Sequence, residues 1–318
     1  LNNNFGSSAS GLSMGQRDRN GNPIDTTAVI DANTIPIGLY SWKIDSRFGN
    51  VTFVPVDTLT HAFQNTNDTG GMTGQYNYLG NLGSPRLSRL FFDRRDASQF
   101  FFTDPYDLTV LRPEDIIFTN TLSPFTNLSY YKTFDSRNGE ERFKSYFAIN
   151  ANKRFGVGFY IDYLYGRGLY ASQSTAFFNG GLFASYRGDK YNMHFIFNND
   201  NLKMAENGGI ADDRYITNPL DMAEGKKEYK SYDIPTNLNK VWNHNTSYHV
   251  FMTQRYNLGF HKEKIDSVTK DSVRIIQEFV PVTSFIHTLQ VDLNGRKYIS
   301  YDDELNQKYF EHNYLGND

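Results

Sequence analysis

The chain has no cysteine among its 318 residues, and only 2 are Trp. The lack of Cys excludes disulfides, zinc–thiolate centres and thiol nucleophiles. No run of apolar residues is long enough for a membrane helix, and the mean hydropathy is −0.58, so a helical membrane protein is excluded. A net charge of −3 gives no reason to expect a nucleic-acid partner.

Phe and Tyr are abundant instead, with 26 Phe and 22 Tyr, and aromatics make up 16% of the chain. A soluble all-β protein could hold them in its core or use them as sugar-binding platforms. A membrane β-barrel needs aromatic residues on its lipid-facing surface and at both membrane interfaces. Composition alone leaves both classes open.

The clearest periodic pattern lies in residues 143–165. Two segments alternate between apolar and polar residues with a period of 2, and residues 152–154 separate them. Each segment has about ten residues, which is longer than the usual strand of a soluble sheet. That length matches the roughly 9 to 11 tilted residues that cross a bilayer. The pattern predicts a transmembrane β-hairpin.

Similar segments recur through the second part of the chain. The predicted strands cover residues 125–134, 143–152, 155–165, 176–187, 191–198, 247–258 and 273–293. We therefore predict an all-β fold, a transmembrane antiparallel β-barrel within residues 119–318, with a long external loop near 200–244. Residues 36–118, which include a possible hairpin at 39–57, are predicted to be a periplasmic or lumen-filling segment, and residues 1–35 a flexible leader.

The alternation assigns side chains to two faces. The apolar set is predicted to face lipid: Phe147, Ile149, Val157, Phe159, Ile161, Tyr163, Leu182, Phe195 and Val250. The opposite set is predicted to line the lumen and to bias permeation by charge and size: Lys144, Tyr160, Asp162, Arg187, His194 and Arg255. Both signs of charge occur in the second set, so it predicts no ion selectivity.

The connectors between these strands alternate between long and short. Barrels of outer membranes have short periplasmic turns and longer external loops. This alternation therefore places 200–244 outside and 187–189 on the periplasmic side, together with the start of the first strand.

Seven strands is an odd number, whereas single-chain bacterial barrels have an even number and leave no backbone edge in lipid. Residues 296–300 are too short for an eighth crossing before the polar residues that follow them. We therefore expect these strands to be the N-terminal portion of a larger barrel. The remaining strands would come from the same polypeptide or from another chain.

Three further patterns have plainer interpretations. Ser247 and His249 share a strand face, as a hydrolase would need, but no third catalytic group or oxyanion donor accompanies them. The tripeptide at 187–189 is that of adhesion ligands, and it also suits a tight turn with Gly at a positive φ. Four carboxylates near the long loop could bind calcium or form a solvated acidic loop: Asp200, Glu206, Asp212 and Asp213. We predict no catalytic residue, metal or cofactor.

Three segments carry a family resemblance: GQYNYLGNLGSP at 74–85, NTLSPFTNLSYY at 120–131 and PVTSFIHTL at 281–289. They resemble the Putative porin family of Bacteroidota outer membranes, over residues 36–293. The resemblance implies an outer-membrane β-barrel larger than these strands can build, with a non-barrel segment before the first strand. It implies no transported solute and no catalytic residue.

The main functional hypothesis is a porin-like channel for passive diffusion of small hydrophilic solutes across the outer membrane of a Gram-negative bacterium. A second is a non-conducting barrel that acts as a structural or docking subunit of an outer-membrane assembly. A third is a secreted, glycan-binding β-sandwich. The expected partners of the barrel are outer-membrane lipid, the remaining strands and other outer-membrane proteins or lipoproteins.

Overall fold

The computed structural model describes residues 38–56, 69–71, 73–133, 139–223, 225, 230–269, 272–301 and 304–313. The predicted leader at 1–35 lies outside the described residues.

The N-terminal part of the chain forms two small antiparallel sheets. The first has the order β2-β1-β5, from β1 (Tyr40–Ile44), β2 (Val51–Val54) and β5 (Phe118–Asn120). The second pairs β3 (Tyr76–Tyr78) with β4 (Arg86–Ser88), and three short 3-10 helices follow at Phe91–Asp93, Phe101–Tyr106 and Pro113–Asp115. The hairpin expected within 39–57 is therefore present as β1 and β2. We call residues 38–120 the N-terminal segment.

Seven further strands form one antiparallel sheet in which each strand pairs with its neighbours in sequence. They are β6 (Phe125–Lys132), β7 (Glu140–Asn150), β8 (Phe155–Arg167), β9 (Ser174–Arg187), β10 (Tyr191–Glu206), β11 (Val241–Thr269) and β12 (Ser272–Ser300). The predicted all-β fold and its seven strands are confirmed. The two ends of the sheet are β6 and β12, and no described strand pairs with their outer edges.

In the part of the chain that the structure describes, the α-helices are α1 (Arg214–Thr217), α2 (Pro219–Met222) and α3 (Glu304–Asn313), and a further 3-10 helix spans Ser231–Asp233. None of the helices in the described ranges is both long and apolar enough to cross a membrane.

Several strand boundaries differ from the sequence prediction. β10 continues to Glu206 and β11 begins at Val241, so the long connector covers 207–240 rather than 200–244. Residues 199–206 and 241–248 remain paired although polar side chains obscure their period, because the ladder depends on backbone groups. Residues 296–300 are the end of β12 rather than an additional strand, and the polar residues beyond it include helix α3.

β11 and β12 have 29 residues each and form a hairpin that extends past the rest of the sheet. The Asn257 backbone N–H donates to the Lys190 carbonyl oxygen at 2.6 Å, which marks the end of pairing with β10. Beyond it β11 pairs only with β12, and the register shifts between Leu258 and Gly259. A Cβ on Gly259 would collide with the Val280 carbonyl oxygen, so only glycine fits this bulge. The strand prediction, which was based on the alternation of apolar and polar residues, missed this projection.

The N-terminal segment packs on one face of the large sheet, which we call the inner face. One buried cluster joins Trp42, Ile44, Ile116 and Phe118 to five sheet residues: Ala148, Tyr160, Phe183, Ile196 and Phe251. Phe251 is apolar although it lies in the otherwise polar set of its strand, and its contact with this cluster explains why. A second cluster joins Leu82 and Tyr106 to Leu164, Phe177, Leu202 and Met204.

Glycines on the inner face make room for these aromatic rings. A Cβ on Gly158 would lie 2.3 Å from the Phe183 ring and 2.3 Å from the Phe147 carbonyl oxygen. A Cβ on Gly181 would lie 2.6 Å from the Tyr160 ring. The sequence therefore places glycine where an inner aromatic side chain lies flat across the neighbouring strand.

Candidate functional site

The register of the large sheet aligns apolar side chains across its outer face, the face opposite the N-terminal segment. Directly paired positions on successive strands form one row from β7 to β12: Phe147, Phe159, Leu182, Phe197, Val250 and Val291. The Phe147 and Phe159 rings stack with centroids 5.3 Å apart. All six side chains remain at least partly exposed, with Leu182 56% and Val291 44% exposed. The outer face thus presents an apolar band that nothing in the described chain covers.

All nine residues predicted to face lipid lie on this outer face. They occupy the row above or the rows beside it, and none of them is buried: Phe147, Ile149, Val157, Phe159, Ile161, Tyr163, Leu182, Phe195 and Val250. Contact with lipid remains a prediction for each of them.

The inner face carries a polar band between its two apolar clusters. Asn179, Asn198 and Asp200 are buried in this band on β9 and β10. The Tyr160 hydroxyl donates to Asn198 Oδ1 at 2.6 Å, and Asn198 Nδ2 donates to Asp200 Oδ2 at 3.2 Å. Asn179 Nδ2 donates to the Thr109 carbonyl oxygen at 3.0 Å. Amide side chains of the sheet therefore bind the backbone of the N-terminal segment.

An ion pair anchors the β7 and β8 side of this band. Both oxygens of Asp162 accept from Arg142, from Nε at 2.9 Å and from Nη2 at 2.7 Å. The same Nη2 also donates to the Leu108 carbonyl oxygen at 3.1 Å. Because the Arg142 side chain is only 4% exposed, the fork-shaped pairing compensates for a buried charge. Lys144 lies directly opposite Asp162 in register and is exposed.

The remaining predicted lumen-lining residues contact the N-terminal segment. The Trp42 indole N–H donates to His194 Nε2 at 3.1 Å, so a neutral His194 carries its proton on Nδ1. The Arg187 guanidinium lies over the Trp42 ring, 4.7 Å from its centroid. Arg255 Nη2 donates to the Phe48 carbonyl oxygen at 3.1 Å and to Asn50 Oδ1 at 2.6 Å.

The six predicted lumen-lining residues thus share the inner face, but they do not form one cluster: Lys144, Tyr160, Asp162, Arg187, His194 and Arg255. Most of these side chains contact the N-terminal segment or one another. Their influence on permeation remains a prediction.

Sequence reasoning did not identify the residues that these side chains bind. Arg142 was not assigned to a face, and Trp42 was not connected to the sheet. Trp42 and His194 are 152 positions apart in the chain, and no local pattern signals that contact. Asn198 was placed in the polar set of its predicted strand, whereas Asp200 was interpreted as the beginning of the long external loop.

The structure places Ser247 and His249 in a different arrangement from that of a hydrolase. His249 Nδ1 lies 2.7 Å from Asp292 Oδ1, and its Nε2 lies 3.4 Å from Asp200 Oδ2. Both ring nitrogens therefore face carboxylates, and neither is left to accept a proton from a nucleophile. Ser247 Oγ has no hydrogen-bond partner among the described residues.

The acidic residues considered for calcium do not come together. Asp200 is buried on the inner face, whereas Asp212 binds Arg214 at the surface of the connector, with 2.6 Å between Oδ2 and Nη2. Hydrogen bonds from Arg214 hold the pKa of Asp212 below its usual range. The described residues contain no group of three His, Asp or Glu side chains placed to hold a metal ion.

The 187–189 tripeptide forms the predicted tight turn between β9 and β10, with the Gly188 N–H bonded to the Tyr191 carbonyl oxygen at 2.9 Å. Gly188 does not have a positive φ, so that part of the expectation was wrong. Asp189 pairs with Arg154 of the adjacent turn, with 2.9 Å between Oδ2 and Nη2. This ion pair joins the two turns.

Tyr106 shows how closely the N-terminal segment packs against the large sheet. Its ring packs edge-on against Phe177 at 5.5 Å, and its hydroxyl lies 3.6 Å from Met204 Sδ. Burial raises the pKa of Tyr106 well above its usual value, so the phenol stays neutral.

Comparison with known proteins supplies one match. Neither a curated protein nor a solved structure matches the chain. A family model described as Putative porin matches residues 38–318, which include the N-terminal segment and all seven strands of the large sheet. The family, together with an all-β fold, fits an outer-membrane β-barrel porin. The chain therefore belongs to the Putative porin family.

Proposed function

We propose that this chain forms part of the wall of an outer-membrane channel through which small hydrophilic solutes diffuse passively. The observation that carries the proposal is the separation of the two faces by register. One row of paired residues is apolar across six strands, and the rows of the opposite face contain Asp162, Asn198 and His249. A wall with lipid on one side and water on the other requires this separation.

The exposed part of the inner face supports contact with water. Lys144 on β7 and Gln290, Asp292 and Asn294 on β12 point to the same side as the buried polar band, and all four are exposed. Charged groups at the boundary of an aqueous path bias permeation by charge. These residues are the best candidates for direct solute contact.

A second function is favoured by the position of the N-terminal segment. It covers much of the inner face, through Trp42 and Phe118 near the short turns and through Leu82 and Tyr106 nearer the long connector. A segment seated this way could fill the lumen and leave a non-conducting barrel that serves as a structural or docking subunit. The projecting β11–β12 hairpin would then be an exposed surface for other outer-membrane proteins or lipoproteins.

Closure of the wall calls for strands beside β6 and β12. Backbone groups on an open edge have no hydrogen-bond partner in lipid, and each unsatisfied group costs several kcal/mol. The described strands leave both outer edges without a partner. We propose that strands of the same polypeptide or of another chain pair with these two edges, and that lipid covers the outer face.

Single-channel recording in planar bilayers tests conduction. The purified protein is expected to insert with discrete conductance steps, and Lys144→Glu is expected to shift the reversal potential in a salt gradient towards cations, because it replaces an exposed inner cation. Leu220→Glu is the matched control, since Leu220 lies in the long connector and is 89% exposed. Inserted protein that gives no steps would favour the non-conducting alternative, and equal shifts in both variants would contradict the assignment of the inner face.

A further inference from the structure

Two arginines of the inner face lie in one row near the short turns. Arg187 on β9 pairs in register with Asn192 on β10, and Asn192 pairs with Arg255 on β11. Because neighbouring strands are about 4.8 Å apart, the two arginine backbones lie about 10 Å from each other, with an amide between them. Side chains of this length can converge on one small group.

Neither arginine has an anionic partner within the described ranges. The Arg187 guanidinium lies among aromatic rings, 4.7 Å from the centroid of Trp42 and 5.8 Å from those of Tyr40 and Phe53. Its Nη1 is buried and makes no hydrogen bond to any described residue. Among the described residues, Arg255 donates to neutral oxygens alone, those of Phe48 and Asn50. Burial of a cation without a paired charge is costly, and contact with ring faces compensates only part of that cost.

A cavity of about 190 Å³ adjoins both guanidinium groups. It is lined by Phe48, Gly49, Val51, Arg187, Asn192, His194, Thr253 and Arg255. No carboxylate is among these residues, whereas Asn192 and Thr253 add hydrogen-bond donors. On the other side of Arg187 and Asn192 lies a second cavity of about 250 Å³, in which Arg154 pairs with Asp189 and Lys153 adds a further cation.

We propose that Arg187, Asn192 and Arg255 bind a small oxyanion, such as inorganic phosphate or the phosphate or carboxylate group of a small solute. Guanidinium groups match the oxygen geometry of both ligand types. The cavity opens on the inner face, away from the apolar band, so a free solute is the source rather than a lipid headgroup. This proposal adds to the proposed function by naming the class of solute. It rests on the proposed function only for the route by which the solute reaches the site.

Trp42 provides a direct readout, because Arg187 lies over its indole ring. The only other Trp is Trp242, which stacks under Lys203 near the far end of β11. In a Trp242→Phe background in lipid-free detergent, the fluorescence of Trp42 is expected to change saturably with inorganic phosphate at constant ionic strength. Arg187→Gln is expected to weaken phosphate binding at least tenfold.

Arg296→Gln is the matched control, because the Arg296 guanidinium also stacks on an aromatic ring, 4.3 Å from the centroid of Phe102, but lies far from the cavity. It should bind phosphate as the parent does. A parent protein without a saturable response, or equal weakening in both variants, would overturn the proposal. A response to phosphatidylglycerol but not to free phosphate would overturn it too.

Asn192→Asp keeps the side-chain shape and places a carboxylate between the two arginines, so it tests the site without removing either cation. It should fold, raise the melting temperature and abolish the phosphate response. Unchanged phosphate binding in this variant would contradict the proposal. Phosphate binding and conduction are measured separately. Conduction without phosphate binding would contradict only the oxyanion site, and phosphate binding without conduction would contradict only the channel.

Discussion

Asp162 is an inner-face side chain that links the large sheet to the N-terminal segment. Its carboxylate is the ionic partner of Arg142, which also binds the Leu108 carbonyl oxygen. Asp162→Asn keeps the shape of the side chain but removes the negative charge that Asp162 places beside the buried guanidinium. We expect the free energy of unfolding to fall by about 3–5 kcal/mol, the usual effect of breaking a buried pair from one side.

The measurement is chemical denaturation of the detergent-folded protein. Asn294→Asp is the control, since Asn294 lies in the same inner row but is exposed on β12. Asp162→Asn that unfolds at the same denaturant concentration as the parent would show that the pair contributes nothing.

Phe159 tests the opposite face of the same strand. It lies in the apolar row and stacks on Phe147. Phe159→Arg should destabilise the protein folded in bilayers by about 2–4 kcal/mol if the row is near mid-membrane, because a cation then faces hydrocarbon. Asn294→Arg places the same side chain on the exposed inner face and should fold normally. If both substitutions are tolerated equally in a lipid-folding assay, the assignment of lipid to the outer face and water to the inner face is wrong.

At the scale of elements, the β1–β2 turn is held against β11 by a glycine. Gly49 has a φ of +63°, and a Cβ there would lie 2.6 Å from Thr253 Oγ1. Gly49→Ala should therefore combine left-handed backbone strain of about 1–2 kcal/mol with overpacking of about 1–3 kcal/mol. Gly74→Ala is matched in backbone strain, since φ is +68°, and no atom of the described residues lies within 4 Å of the added Cβ. Limited proteolysis within 45–50 should increase for Gly49→Ala alone, and similar cleavage in both variants would contradict the close contact.

Connector length also predicts which end of the sheet faces the cell exterior. The connector at 207–240 and the turn at 188–190 lie at opposite ends of β10. Because the chain has no Cys, single probes at Leu220→Cys and Lys190→Cys, both exposed in the structure, are unambiguous. A membrane-impermeant maleimide on intact cells should label the first and not the second. The reverse labelling would invert the topology.

Strands were predictable from sequence because alternation is a property of the local backbone: the positions of Phe147, Phe159 and Leu182 follow from a period of 2. Which residues pack over a strand is not determined by the local sequence. The sequence marks Asn198 and Asp200 as polar, but their burial depends on residues near 111 and on His249 in other elements. The lengths of β11 and β12 were missed because polar side chains are compatible with a strand outside the apolar band.

For the whole molecule, the open edges of the sheet make a prediction about assembly. β6 and β12 are the outer strands of the described sheet, and a sheet placed in lipid would need a neighbour for each of them. The folded, heat-modifiable species isolated from membranes should therefore contain more polypeptide than the 36.6 kDa of this chain. Mass spectrometry of that species decides the matter, and a folded barrel of 36.6 kDa with no partner chain would contradict the proposal.

The central claim is that one face of the sheet meets lipid while the other meets water or the N-terminal segment. Spin labels at successive positions from 157 to 163 of β8 measure this directly, through collision with lipid-soluble oxygen and with a water-soluble nickel chelate. Labels at Val157, Phe159, Ile161 and Tyr163 are expected to be accessible to oxygen, and those at the intervening positions to be shielded from it. An oxygen accessibility without a period of 2, or a period of opposite phase, would contradict the account.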